Sequence, residues 1–187
     1  MVGNLELDLH HAHSLGEVTL ALVPLARTVE IGRQLDRDFG LFQTVKGITD
    51  EQASLPTTVS ELSLGGLIKH VTAVEDWWAN SIVQGAGSME PSESAYEAHA
   101  EGFRFDAGDS LASLLERYEE VAKRTDELVL SVPSLDASHP LPVRPWFRPG
   151  AAWSAGYVVL HILAETSQHA GHADIIREAL DGSKTMG

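Results

Sequence analysis

Four side chains near the end of this 187-residue chain could do chemistry together: His161, Glu165, His169 and His172. An α-helix advances about 100° and 1.5 Å per residue. With His161 at 0°, Glu165 projects at about 40°, His169 at about 80° and His172 at about 20°, one narrow stripe. Val158 and Ile176 at about 60°, with Ala179 near 0°, bracket it, as apolar residues bracket a stripe that faces a core. Buried imidazoles and a carboxylate need partners. Glu165 and His169 lie one turn apart and can grip one ion from one side; His161 is roughly 12 Å from His169 along the axis, too far to share it. His172, three residues on, is within reach of the same place.

A fifth residue belongs with them. On a second helical stretch, with His70 at 0°, Leu67 projects at about 60°, Val74 at about 40°, Trp78 at about 80° and Trp77 at about −20°. Lys69, Thr72, Asp76 and Asn80 gather on the far side, so His70 sits in the apolar face. A ligand from a facing helix would complete a His/His/Glu set, and three protein ligands with one open position make a catalytic rather than a structural metal site. This is not the H-E-x-x-H arrangement, in which the Glu is a base. The alternative is a core His70 hydrogen-bonded to Glu165, with His169 and His172 partly exposed.

Other chemistries find less support. The chain has no cysteine, so thiolate metal sites, cysteine nucleophiles and disulfides are excluded, and a metal must sit on nitrogen and oxygen. Gly65-Gly66 lacks the lysine of a phosphate loop. Ser167 has no G-x-S-x-G elbow and faces away from His169. No catalytic residue beyond the metal set can be named. His10, His11 and His13 read as a solvated N-terminal cluster. Trp77, Trp78, Trp146, Phe147 and Trp153 are the candidates to line an apolar pocket; Trp77 and Trp78 read rather as core, and the pocket role suits Trp146 and Phe147 of the Pro-rich connection better. With 27 acidic against 13 basic residues, a net charge of −14 and no basic run, the chain is not a nucleic-acid binder. No apolar stretch approaches the roughly 20 residues of a membrane span. The segment MVGNLELDLHHAHS has no basic n-region, so cytoplasmic location is expected.

Four helical stretches must position these residues. The first runs from about Val29 to Val45 (Ile31, Leu35, Phe39, Phe42) and ends at Gly47; Thr49 to Gln52 has capping-box form. The second starts near Thr58 or at Ser63 and closes at Gly85 and Gly87. Residues 85–109 read as a connection with at most a short helix near Tyr96. The third is capped by Asp109 or Ser110 and carries its stripe from Leu111 to Val129. Five prolines exclude a regular helix over 131–150. The fourth runs from about Ala152 to Leu180. No strand is expected, and an all-α four-helix bundle with long crossing connections follows. The expected layout is an N-terminal extension or extra helix over 1–28, the bundle over 29–182 and a tail over 183–187.

Two segments carry a resemblance. Ser63-Leu64-Gly65-Gly66-Leu67-Ile68-Lys69-His70-Val71 resembles the second-helix motif of DinB-like (YfiT-like) four-helix-bundle proteins. Glu165-Thr166-Ser167-Gln168-His169-Ala170-Gly171-His172-Ala173-Asp174-Ile175-Ile176-Arg177-Glu178, followed by Asp181-Gly182, resembles their last long helix, closest to the actinobacterial branch. The resemblance covers roughly residues 30–182. It implies one divalent metal held by His70, Glu165 and His169, with Glu165 where most of the family has His, as in the mycothiol-dependent maleylpyruvate isomerases. It implies zinc, with nickel as the alternative. Beside such a site His172 or Asp174 is the candidate to orient a ligand. The activity implied is transfer or isomerisation of a small electrophile with a low-molecular-weight thiol such as mycothiol as cosubstrate; a non-catalytic metal-binding stress protein and a metal-assisted hydrolase are the alternatives. Family members often pair, so a homodimer is expected. The maleylpyruvate isomerases carry a further C-terminal domain, for which the five residues after Gly182 leave no room, so that particular reaction is not expected.

Overall fold

The computed structural model describes residues 30, 32–34, 36, 37, 40–85, 102–145 and 147–185. The N-terminal extension, Ile31, Leu35, Phe39, the three clustered histidines, Gly87, the segment around Tyr96 and Trp146 lie outside the described residues. The elements are α1 (Leu41–Thr44), α2 (Asp50–Ser54), α3 (Leu64–Gln84), α4 (Leu111–Ser131), β1 (Ser138–Pro140), β2 (Ala152–Ser154) and α5 (Ala155–Asp181). The described residues among 30–37 are also helical, and with α3, α4 and α5 they make the expected all-α bundle.

Local chemistry sets the boundaries. Thr49 and Gln52 form the expected capping box of α2. Ser63, not Thr58, caps α3, accepting from the Gly66 backbone NH. Gly85 closes α3 at φ 71°, and Gly182 closes α5 at φ 81°, conformations that a Cβ disfavours. Ser110 caps α4 in a second capping box, with Ser113.

Three expectations need correction. The first helical stretch does not run unbroken to Val45. It stops at Gly40, whose backbone leaves the helical region, because the Asp36 carboxylate accepts from the Leu41 NH at 3.3 Å and from the Tyr118 hydroxyl at 2.8 Å. A small antiparallel hairpin exists: Ser138 pairs with Ser154, His139 with Trp153 and Pro140 with Ala152. It takes up the residues expected to open the last helix, so α5 begins at Ala155, capped by Ser154. Three residues per strand are too few for alternation to be legible. Finally, Ala179 and Trp77 are exposed, while on the far side of α3 Lys69, Asp76 and Asn80 are half-buried. Thr72 is buried there, donating to the Ile68 carbonyl at 2.7 Å. Glu75 is fully buried against Arg33.

The reason is the position of α3, which packs against α4, α5 and the helical residues at 33. One apolar cluster joins Leu41, Leu67, Ile68, Val71, Tyr118, Ala173 and Ile176. A second joins Trp78, Ile82, Val129, Val158 and Ile162. His70 lies on α3 within the stretch of the first cluster, between Ile68 and Val71.

Candidate metal centre

His70 stands two turns into α3, only 4% exposed, where burial of an imidazole demands a partner. Glu165 and His169 stand one turn apart on α5, the helix packed against that face. Each of the three offers one ligand atom, and these atoms all lie within 4.8 Å of one another. Glu165 Oε2 is 3.7 Å from His169 Nε2. Ligand atoms around a tetrahedral ion with bonds of about 2.1 Å sit about 3.4 Å apart, so the Glu165–His169 pair is near that spacing and the whole set, within 4.8 Å, needs a closure of up to about 1.4 Å. Glu165 has the freedom for it: its side chain is 32% exposed, against 12% for His169. The donor set, two imidazoles and a carboxylate, suits zinc and its divalent neighbours, and three donors leave a position open.

The surroundings favour neutral imidazoles. Burial lowers the pKa of His169, opposed by the nearby Glu165 carboxylate and reinforced by His172. Burial lowers that of His161 too, again opposed by Glu165. A neutral ring is the form that binds a metal. His172 Nδ1 lies 3.4 Å from His169 Nδ1. That contact requires one proton between the two nitrogens, and with the proton on His169 Nδ1 the lone pair of Nε2 points toward Glu165. Asp174, the other side chain expected to orient a ligand, is engaged elsewhere: its Oδ1 accepts from the Thr185 backbone NH and hydroxyl, both at 2.8 Å.

His161 is 3.9 Å from Glu165 on the side away from His169, and its ring packs edge-on against Trp78 and Trp153 at 4.8 and 5.1 Å. Trp78 and Trp153 stack at 4.5 Å, and Phe147 packs on both, so Phe147 of the Pro-rich connection and Trp153 meet the core residue Trp78 beside the site. Ser167 is exposed and donates to the Leu163 carbonyl, an ordinary helical back-bond.

One neighbour was not legible in the sequence. Phe103, within the segment read as a connection, lies flat on the His70 ring, centroids 3.7 Å apart at 18°. A faint signal existed in the Gly65-Gly66 pair at the start of a helix, because interior glycines in a helix mark a close approach.

The chain matches the family described as mycothiol-S-transferase over residues 34–182. Comparison with curated proteins and with solved structures gives no match. The matched span contains α1 to α5 and all three converging residues, and most of the chain lies within it. The chain belongs to the mycothiol S-transferase family, a DinB-like family.

Proposed function

We propose that the chain is a metal-dependent thiol S-transferase in which His70, Glu165 and His169 hold one divalent ion, zinc in the first instance. A mycothiol-like thiol and a small electrophile are its substrates. The observation that carries this reading is the convergence of those three side chains from α3 and α5 in a chain of this family.

When bound, the ion supplies a positive centre that lowers the pKa of a thiol and makes its sulfur nucleophilic near neutral pH. The thiol gives up its proton and its sulfur forms a bond to an electrophilic carbon of the second substrate. The displaced electron pair leaves with the departing group, which takes a proton, or stays on the acceptor when the reaction is an addition. The protein's own contribution is positional. His70 and His169 present their rings from the buried side, and the more exposed Glu165 marks the side from which substrates approach. The aromatic group of Trp78, Trp153 and Phe147, reached through His161, offers an apolar wall next to that approach.

The test begins with elemental analysis of untagged protein. About one equivalent of zinc or nickel, taken up on reconstitution and lost in His169→Ala, is the expected result. Less than about a tenth of an equivalent, unchanged by adding either metal, ends the proposal. Loaded protein is then mixed with mycothiol and an electrophile such as monochlorobimane. Thiol conjugation that His169→Ala abolishes supports the transferase; ester hydrolysis without thiol binding, or metal-dependent stability with neither activity, refutes it.

A further inference from the structure

We propose that Phe103 is a positioning residue for the metal centre: the segment 102–109, seated on Gly65-Gly66 and latched by Lys69, presses its ring onto His70 and thereby sets the affinity for the ion. This rests on the metal reading above.

His70 is joined to its backbone through a soft terminal torsion, broad and roughly two-fold, so α3 alone does not settle where its ring nitrogens point. Two contacts do so. Phe103 covers one face of the ring at 3.7 Å and 18°, and the His169 ring meets it edge-on at 4.9 Å and 75°. Rotating His70 would sweep its edge through the space that Phe103 fills. Phe103 also lies 5.9 Å from the His169 ring, so one side chain buttresses two of the three proposed ligands. The same ring walls off water on that side, which strengthens charge-based binding within the site.

The seat of Phe103 is built into α3. A side-chain carbon on Gly66 would overlap the Phe103 carbonyl, and one on Gly65 would overlap the Phe105 ring. Glycine is the weakest helix former after proline, yet two stand together where the segment crosses. Lys69, adjacent to His70, holds the rest: its Nζ donates to Asp106 Oδ2 at 2.6 Å, Asp109 Oδ2 at 2.9 Å and the Arg104 carbonyl at 3.2 Å. Asp109 Oδ2 also accepts from the Asp106 NH at 2.9 Å, which closes the turn on itself. The glycine seat, the ring stack and the lysine latch thus all fall within the first two turns of α3, around one ligand.

The experiment compares wild type with Phe103→Leu, which keeps an apolar side chain but removes the flat ring. Zinc affinity is read by competition with a chromophoric chelator, and the His70 ring protons by NMR of metal-free protein. In wild type those protons should be shifted upfield by the stacked ring, and in Phe103→Leu they should return toward ordinary values. Zinc Kd should rise by about 10- to 100-fold, the range seen when groups that orient metal ligands are lost. Phe103→Tyr should restore both, and Lys69→Met should weaken binding to a lesser degree. Val129→Ala, a buried change in the other apolar cluster, controls for loss of stability and should leave Kd unchanged. A Kd for Phe103→Leu within twofold of wild type, or an equal rise in Val129→Ala, overturns the proposal. Wild type that binds no zinc sinks the metal reading itself and this proposal with it, whereas zinc-binding wild type with an unperturbed Phe103→Leu sinks only the role of Phe103.

Discussion

Replacing Arg33 by Met is expected to be among the most damaging single changes in the bundle, because of what it strands. The Glu75 side chain is 0% exposed, and both terminal nitrogens of Arg33 donate to it, Nη1 at 3.3 Å. Burial alone would lower the pKa of Arg33, but the hydrogen bond and charge of Glu75, with Asp126 behind them, raise it overall. Removing one member of a buried pair costs about 3–5 kcal/mol, since the other is left charged and unsolvated. Two hydrogen bonds to a charged acceptor, at about 1.5–3 kcal/mol each, lead to the same range. The Asp126 contact at 3.2 Å adds at most about 1 kcal/mol because Asp126 is part-exposed and screened by water. Glu75→Leu should be milder, about 1–3 kcal/mol, because Arg33 is 19% exposed and keeps both Asp126 and the Ala122 carbonyl as acceptors. The double variant Arg33→Met/Glu75→Leu strands no charge and should lie within about 2 kcal/mol of wild type. The singles therefore over-count the double by about 2 kcal/mol or more. Urea unfolding followed by far-UV circular dichroism measures all four corners of the cycle. Arg33→Met should also lower Tm by roughly 6–20 °C, at about 2–4 °C per kcal/mol for a chain of this size. A loss under about 1 kcal/mol for Arg33→Met, or a double variant as unstable as the sum of the singles, would refute the reasoning.

Glu165→Gln keeps shape and removes the charge of the proposed ligand: the metal-free Tm should change little, while the Tm rise on adding zinc should shrink, with affinity down by at least about tenfold; an undiminished rise argues against Glu165 as a ligand. Gly171 within α5 and Gly182 at its C-cap should respond with opposite signs, though a methyl at either meets nothing within 4 Å. Gly171→Ala, in the exposed helix interior, should stabilise by about 0.5–1 kcal/mol, whereas Gly182→Ala at φ 81° should cost about 1–2 kcal/mol, both read by urea unfolding. Asp181 has its pKa lowered to about 2 by the hydrogen bond from Arg177, helped by Ser183. Its contribution is therefore complete above the ordinary carboxylate pKa near 3.8 and is lost as pH falls from there toward about 2. Asp181→Asn should flatten that part of the acid limb in a Tm-against-pH profile and leave the slope above pH 5 unchanged; an unaltered acid limb would show that the Arg177 clamp does not carry the effect.

Helix directions and ends were readable in the chain because their signals are local. Ser63, Ser110, Gly85 and Gly182 cap where such residues cap, and the three-four spacing of apolar residues located α3, α4 and α5. The same periodicity put His70, Glu165 and His169 on inward-facing stripes. It left open which side chains from other elements would meet those stripes, since a helical wheel supplies an angle about its own axis and nothing about the neighbour at that angle.

Those neighbours came only from the tertiary structure. The periodicity of α3 did not reveal that Thr72 and Glu75, both off the His70 face, are buried. Glu75 is buried against Arg33, 42 residues before it, which arrives on that side with α4. Among the described residues the Pro-rich connection after Ser131 holds no helix, as its prolines imply, yet its hairpin depends on pairing with residues past its own turn. Phe103 falls in a segment without periodicity, and its place on His70 follows from two missing side chains at Gly65 and Gly66 and a lysine that pins the turn. The chain's composition and spacing by themselves determined a cysteine-free helical bundle with nitrogen and oxygen donors on two inward faces. Whether those donors meet, at what distance, and what holds them there was decided by packing between residues far apart in sequence, because metal geometry is a property of the space between helices and not of any one of them.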